Sequence, residues 1–317
     1  MKQITPIYIL SGFLGSGKTT LLQKLIDFWQ EQDLLPAVIM NEIGDVNLDV
    51  LLVKEQVPMT EMLSGCICCT SRGDLSSEIA NLIHKDSPDV IVVEATGVAN
   101  PLEILDGVTE AALYLKIDLK GLITVVDSEH LLQLYREQGG KTYRLMQEQI
   151  RCASVLLLNK IDRVRAEEVD TLNTIVASWN SYAPVIPSVK CDVDILSMLG
   201  NMRAELPVAG SSLSQSEHLH ASHDHVMVYT HYFNEAVDSE AFEELIANLP
   251  REVYRAKGIL TFSDTNSRFL FQYAFREPDF LKINPQGDVP DVAVFIGEHF
   301  SRSSLADALR ALENSKT

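Results

Sequence analysis

Long apolar runs, basic charge and evenly spread cysteine are all scarce in this sequence. No uninterrupted apolar run approaches the roughly 18–20 residues that cross a bilayer, so a membrane-spanning helix is not expected. The opening MKQITPIYILSGFLGSG has one lysine and a short apolar stretch, like a weak secretory signal. That stretch runs straight into glycine-rich sequence, so it reads as a buried first strand. Lys and Arg number 26 against 44 Asp and Glu, a net charge of −18 over 317 residues. Such an acidic surface repels phosphate backbones and anionic headgroups, which argues against nucleic acid or membrane as a general partner. Five cysteines of this distribution do not make a secreted disulfide framework, and a reducing, cytoplasmic setting is expected. The 46% hydrophobic content, by contrast, supports a sizeable core and excludes a wholly disordered chain.

Short Val/Ile/Leu runs recur at residues 4–10, 37–40, 90–93, 122–126, 155–158 and 185–186, separated by helical stretches. Near-continuous runs of this kind are parallel strands buried on both faces. The expected fold is α/β, with a mainly parallel doubly wound sheet over 1–206 that binds its ligand at the strands' carboxyl ends. Residues 207–225 are rich in Ser, Gly and His and read as a flexible linker. The remaining 226–317 show a βαβββα order, expected to form a small α+β domain. Its strands are read at Val226–Phe233, Val253–Phe262, Arg268–Ala274 and Val292–Ile296.

Gly12-Phe13-Leu14-Gly15-Ser16-Gly17-Lys18-Thr19 matches the G-x-x-x-x-G-K-[ST] phosphate loop, and it lies between an apolar strand and a helix as that loop requires. Glycines at 12, 15 and 17 let backbone N–H groups, with Ser16 and Thr20 alongside, turn toward phosphates. Lys18 supplies a point charge, and the Thr19 hydroxyl is a Mg²⁺ ligand. The run Asp89–Gly97 is a buried strand ending in Glu94, a candidate to hold Mg²⁺ through water, with the Gly97 N–H placed to sense a γ-phosphate. Asn159-Lys160-Ile161-Asp162 gives N-K-x-D at the end of another strand. A carboxylate there accepts from guanine N1–H and its exocyclic amine, so GTP is expected over ATP. Val98 stands where a Ras-type switch carries a water-positioning Gln, so slow hydrolysis is expected, helped by metal, a homodimer contact or a partner.

Three of the five cysteines, Cys66, Cys68 and Cys69, fall within four residues. Thiolates suit Zn²⁺, with other soft or borderline ions as competitors, and three so close together call for a further ligand such as Glu42 or Asp45. A redox dithiol at Cys66-x-x-Cys69 is the competing reading, without a thioredoxin-like context around it. Four of the eight histidines, His218, His220, His223 and His225, fall within eight residues of the linker, where a metal-capture role competes with an incidental polar tract. Cys152 and Cys191 read as small buried hydrophobes, the isolated His84, His130, His231 and His299 as structural, and Arg255 and Lys257 as solvated strand-edge cations.

Phosphate loop, G-C-x-C-C, E-x-T-G, N-K-x-D and a small C-terminal domain, in that order, resemble the CobW-like family of metal-centre GTPases. The resemblance covers roughly residues 4–200, and less specifically 226–312. It implies a P-loop GTPase domain in which Cys66, Cys68 and Cys69 carry a transferable metal, Zn²⁺ with Co²⁺ or Ni²⁺ as alternatives, for delivery to a client metalloprotein. A GTP-responsive metal buffer or sensor is the alternative. Some members have a Glu where this chain has Met40.

Overall fold

The computed structural model describes residues 4–40, 57–61, 72–202, 226–274, 276–285, 289–298 and 300–314. The candidate metal residues Glu42, Asp45, Cys66, Cys68, Cys69, His218, His220, His223 and His225, the linker reading and His299 lie outside the described residues.

Strands β1 (Thr5–Ser11), β2 (Pro36–Met40), β3 (Met59–Glu61), β4 (Val90–Glu94), β5 (Ile117–Asp127), β6 (Val155–Asn159) and β7 (Val185–Pro187) form one sheet in the order β3-β2-β4-β1-β5-β6-β7. Every pairing within it is parallel. Each of β2, β4 and β6 is buried at all its positions, as strands covered by helices on both faces must be. The covering helices are α1 (Lys18–Gln30), α2 (Arg72–Asp86), α3 (Pro101–Ala112), α4 (Ser128–Glu137), α5 (Gly140–Arg151), α6 (Ala166–Trp179) and α7 (Ile195–Asn201). In α1, Leu21, Leu22, Leu25, Ile26 and Trp29 recur at helical spacing and are buried together. Strand β1 lies between β4 and β5, so the chain winds away to opposite sides from it, and the crevice at its carboxyl end is the topological switch point.

The C-terminal sheet is antiparallel, in the order β11-β10-β9-β12-β8, from β8 (Val226–Tyr232), β9 (Val253–Phe262), β10 (Ser267–Ala274), β11 (Glu277–Ile283) and β12 (Val292–Glu298). Helices α8 (Ser239–Ala247) and α9 (Arg302–Asn314) complete it. The order is therefore βαββββα, one strand more than the sequence pattern predicts. The extra strand, β11, is an exposed edge carrying Pro278 and charged residues, so it lacks the apolar run that betrays a buried strand.

Alternation along β12 sends its side chains to two different cores. Val292, Val294 and Ile296 join the core that holds Ile104, Leu105 and Val108 of α3, while Ala293 and Phe295 face Phe242, Ile246 and Leu309 of α8 and α9. The inner strands β9 and β12, with β8, are thus covered on both faces, one of them against the first domain. Polar contacts line the same seam. Arg255 Nη1 lies 2.6 Å from both carboxylate oxygens of Asp106, and Lys257 Nζ lies 3.0 Å from Glu110 Oε2. This corrects the strand-edge reading of the two cations: α3 supplies carboxylates opposite β9, so they pair across domains. The Tyr232 hydroxyl accepts from Ile117 N at 2.8 Å, and burial raises its pKa well above the usual phenol range.

Candidate functional site

The switch-point crevice is built from four strand ends. Pairing sets Leu10 beside Glu94 and Asp127 beside Asn159, so the ends of β1, β4, β5 and β6 rise to one edge. The phosphate loop leaves β1 there and enters α1. Unlike α3 or α4, which Asn100 and Asp127 cap, α1 has no side-chain cap and no acid in its first turn. Its first N–H groups and the positive end of its dipole are left to face an anion. Gly17, at φ 116°, makes the turn into the helix, and a Cβ there would sit 2.5 Å from Asn159 Nδ2. Ser16 Oγ is fully buried with no partner among the described residues, a hydroxyl that a bound phosphate would answer.

Lys18 is buried to 7% exposure, and its Nζ donates to the Phe13 carbonyl at 3.3 Å, holding the charge under the loop. Thr19 Oγ1 donates to Glu94 Oε1 at 3.3 Å. A hydroxyl and a carboxylate in contact beside a phosphate seat form the hard-oxygen donor set that suits Mg²⁺, so these two residues fit that ion. Gly97 follows in the turn from β4 to α3 and abuts the phosphate loop: a Cβ on it would lie 2.6 Å from Leu14 N.

The base side is organised around Asn159, 2% exposed. Its Nδ2 donates to Ser16 O at 2.8 Å, and its Oδ1 accepts from Cys191 N at 2.9 Å and Ser188 Oγ at 3.3 Å. Asn159 is therefore a strut between phosphate loop and the 188–191 loop, with one amide hydrogen left over. Lys160, in the left-handed region at φ 62°, reaches back to Gly15 O at 2.7 Å and Asp127 Oδ2 at 2.6 Å. Asp162 sits exposed in the short 3₁₀ turn Ile161–Arg163. Lys160 thus backs onto the phosphate loop, while Asp162 faces outward from the turn that follows it.

Sequence reasoning passed over Asp127, Ser188 and Gln149. Asp127 ends an apolar strand, as Glu94 does, and that parallel was its available signal. Cys191 is fully buried as expected, but its N–H and its Sγ, 3.4 Å from Gly17 O, also brace the phosphate loop. Burial pushes its thiol up to about 11, so it stays protonated near neutral pH. Among the described residues, no group of three or more His, Cys, Asp or Glu could hold a metal ion. None of the described helices is long and apolar enough to cross a membrane.

With this geometry established, similarity to known proteins is decisive. Residues 6–187 match the CobW/HypB/UreG nucleotide-binding domain, and residues 227–313 match the cobalamin synthesis protein CobW C-terminal domain. The chain belongs to the CobW/HypB/UreG family. Zinc-regulated GTPase metalloprotein activator 1 of Dictyostelium discoideum is 32% identical over 232 residues, 61% of this chain and 48% of that protein. The chain thus spans about half the length of that relative. Zinc chaperone YjiA of Escherichia coli (strain K12) is 28% identical over 322 residues, 96% of this chain and 98% of its own. The crystal structure of Zn(II)-bound YjiA GTPase from E. coli shares the fold, with a TM-score of 0.50 at 24% identity over 98% of this chain and 99% of its own. The CobW-family phosphate loop, Glu94 and N-K-x-D here occupy a single edge of one sheet.

Proposed function

We propose that this chain is a GTPase that couples nucleotide turnover to delivery of a transition metal, zinc first, to a client metalloprotein. The observation that carries the nucleotide half is the convergence of the uncapped α1 N-terminus, the Thr19–Glu94 pair and the Asn159–Asp162 turn on one edge. In this reading Gly12, Gly15, Ser16, Gly17, Lys18, Thr19 and Thr20 cradle the phosphates, and Gly97 N–H meets the terminal one. Thr19 and Glu94 would hold Mg²⁺, which would supply charge neutralisation at the phosphates. Asp162 accepts from guanine N1–H and its amine, while the spare Asn159 hydrogen and Lys160 border the ring.

The names of the relatives support the metal half. Zinc is the cargo in this reading, taken by Cys66, Cys68 and Cys69 with Glu42 or Asp45, while His218, His220, His223 and His225 capture or buffer it. With Val98 in the position after Gly97, turnover without metal or partner is slow. The test is Zn²⁺ affinity with GDP, with a non-hydrolysable GTP analogue and without nucleotide, in the intact protein and in a Cys66/Cys68/Cys69 to Ser variant. The reading expects different affinities in the three states and loss of that difference in the variant. Identical affinities throughout would overturn the coupling, and preference for ATP would overturn the base assignment.

A further inference from the structure

Gln149 of α5 is 1% exposed, far from any surface role. Its Nε2 donates to the carbonyl of Gly97 at 3.1 Å. The other end of that peptide is held as well, since Val98 N–H donates to Thr96 Oγ1 at 3.2 Å. The peptide before it is fixed by Ala99 N–H, which donates to Thr96 O at 3.1 Å. Because a trans peptide is planar, holding the Thr96 carbonyl also fixes the direction of the Gly97 N–H. Both peptides around Gly97 are thus oriented, and among the described residues Gln149 alone does so from a distant element.

The anchor behind Gln149 is equally firm. Its backbone carbonyl accepts from Thr124 Oγ1 at 2.9 Å, and Thr124 pairs with Ser11, the last β1 residue before the phosphate loop. The Oε1 atom of Gln149, however, is buried with no hydrogen-bond partner among the described residues. An unanswered buried carbonyl is costly, and a methionine or leucine would fill the same volume without that cost. Packing therefore does not account for a carboxamide here; the donor to Gly97 does.

We propose that Gln149 is a positioning residue for recognition of the terminal phosphate. It orients the Gly97 turn against the phosphate loop, and so sets how strongly the protein distinguishes a nucleoside triphosphate from a diphosphate. The inference rests on the reading of Gly97 as the γ-phosphate contact. Gln149 touches no nucleotide in this scheme; it acts through Gly97.

The test uses the full chain with Mg²⁺ present, titrated with GDP and with a non-hydrolysable GTP analogue. Gln149→Met keeps the length and removes the donor. It should leave the GDP affinity unchanged, weaken the analogue roughly tenfold and slow single-turnover hydrolysis by a similar factor. Gln149→Glu donates only when protonated. Relative to wild type at each pH, its analogue-to-GDP preference should be poor at pH 8 and recover on acidification. Equal losses for both nucleotides, or an unchanged preference in both variants, would overturn the proposal. Gly97→Ala separates the two readings. If it also leaves the preference intact, the reading of Gly97 itself fails; if it abolishes the preference while the Gln149 variants retain it, only the role of Gln149 falls.

Discussion

Asn159 and Asp162 lie three positions apart on one turn, yet their environments give them different work. Asn159 is interior and joins Ser16, Ser188 and Cys191, whereas Asp162 is exposed and, in the proposed reading, accepts from the base. Substituting Asp162→Ala should remove the preference for guanine over adenine nucleotides and leave the denaturation midpoint in place. Asn159→Ala should do both kinds of damage. It strands the Ser16 carbonyl and the Cys191 N–H, which costs about 2–3 kcal/mol of stability, and it loosens the phosphate loop. Urea titration beside nucleotide competition separates the two effects. Equal stability of the two variants would contradict the strut role of Asn159.

At the scale of elements, α6 begins with an electrostatic clasp. Glu168 accepts from Arg165 N at 2.9 Å and from Arg136 of α4 at 2.8 Å, and these hydrogen bonds, the Arg165 side chain first, lower its pKa from 4.5 to about 2. A carboxylate depressed on folding stabilises the native state above its ordinary pKa and loses that contribution as pH falls toward the folded value. The melting-temperature gap between wild type and Glu168→Gln should therefore be widest above pH 4.5 and narrow toward pH 2. A gap independent of pH would remove the clasp from the account. Elements such as β2, β4 and β6 were legible in the sequence because burial on both faces leaves an unbroken apolar run. The edge strand β11, the three-residue β3 and the Asp118–Lys120 part of β5 were not, since strands with a wet face or few residues carry no such run. The phosphate loop and N-K-x-D were legible because their spacing is local. Gln149 and Asp127 were not, because they meet their partners only through the tertiary fold.

Over the whole molecule, the two sheets share one apolar core through Val292, Val294 and Ile296 against α3, and Arg255 pairs with Asp106 at its margin. Calorimetry should therefore show a single cooperative transition rather than one per sheet. Arg255→Ala should lower stability by about 1–3 kcal/mol, less than a fully buried pair would lose because the guanidinium is partly wet. Two well-separated transitions in the wild-type protein would contradict a shared core. Helix α3 starts four residues after Gly97 and carries Asp106 and Glu110 to the seam, so any movement of the turn has a rigid body to push.

The doubly buried strand β12 also bears on how the chain can be handled as a reagent. Cutting after residue 206 would strip β12 and β8 from Ile104, Leu105 and Val108 and turn those side chains toward water. A fragment with such a bared stripe sticks to itself, so the nucleotide-binding half expressed alone should be recovered as aggregate unless that stripe is first rewritten with polar residues.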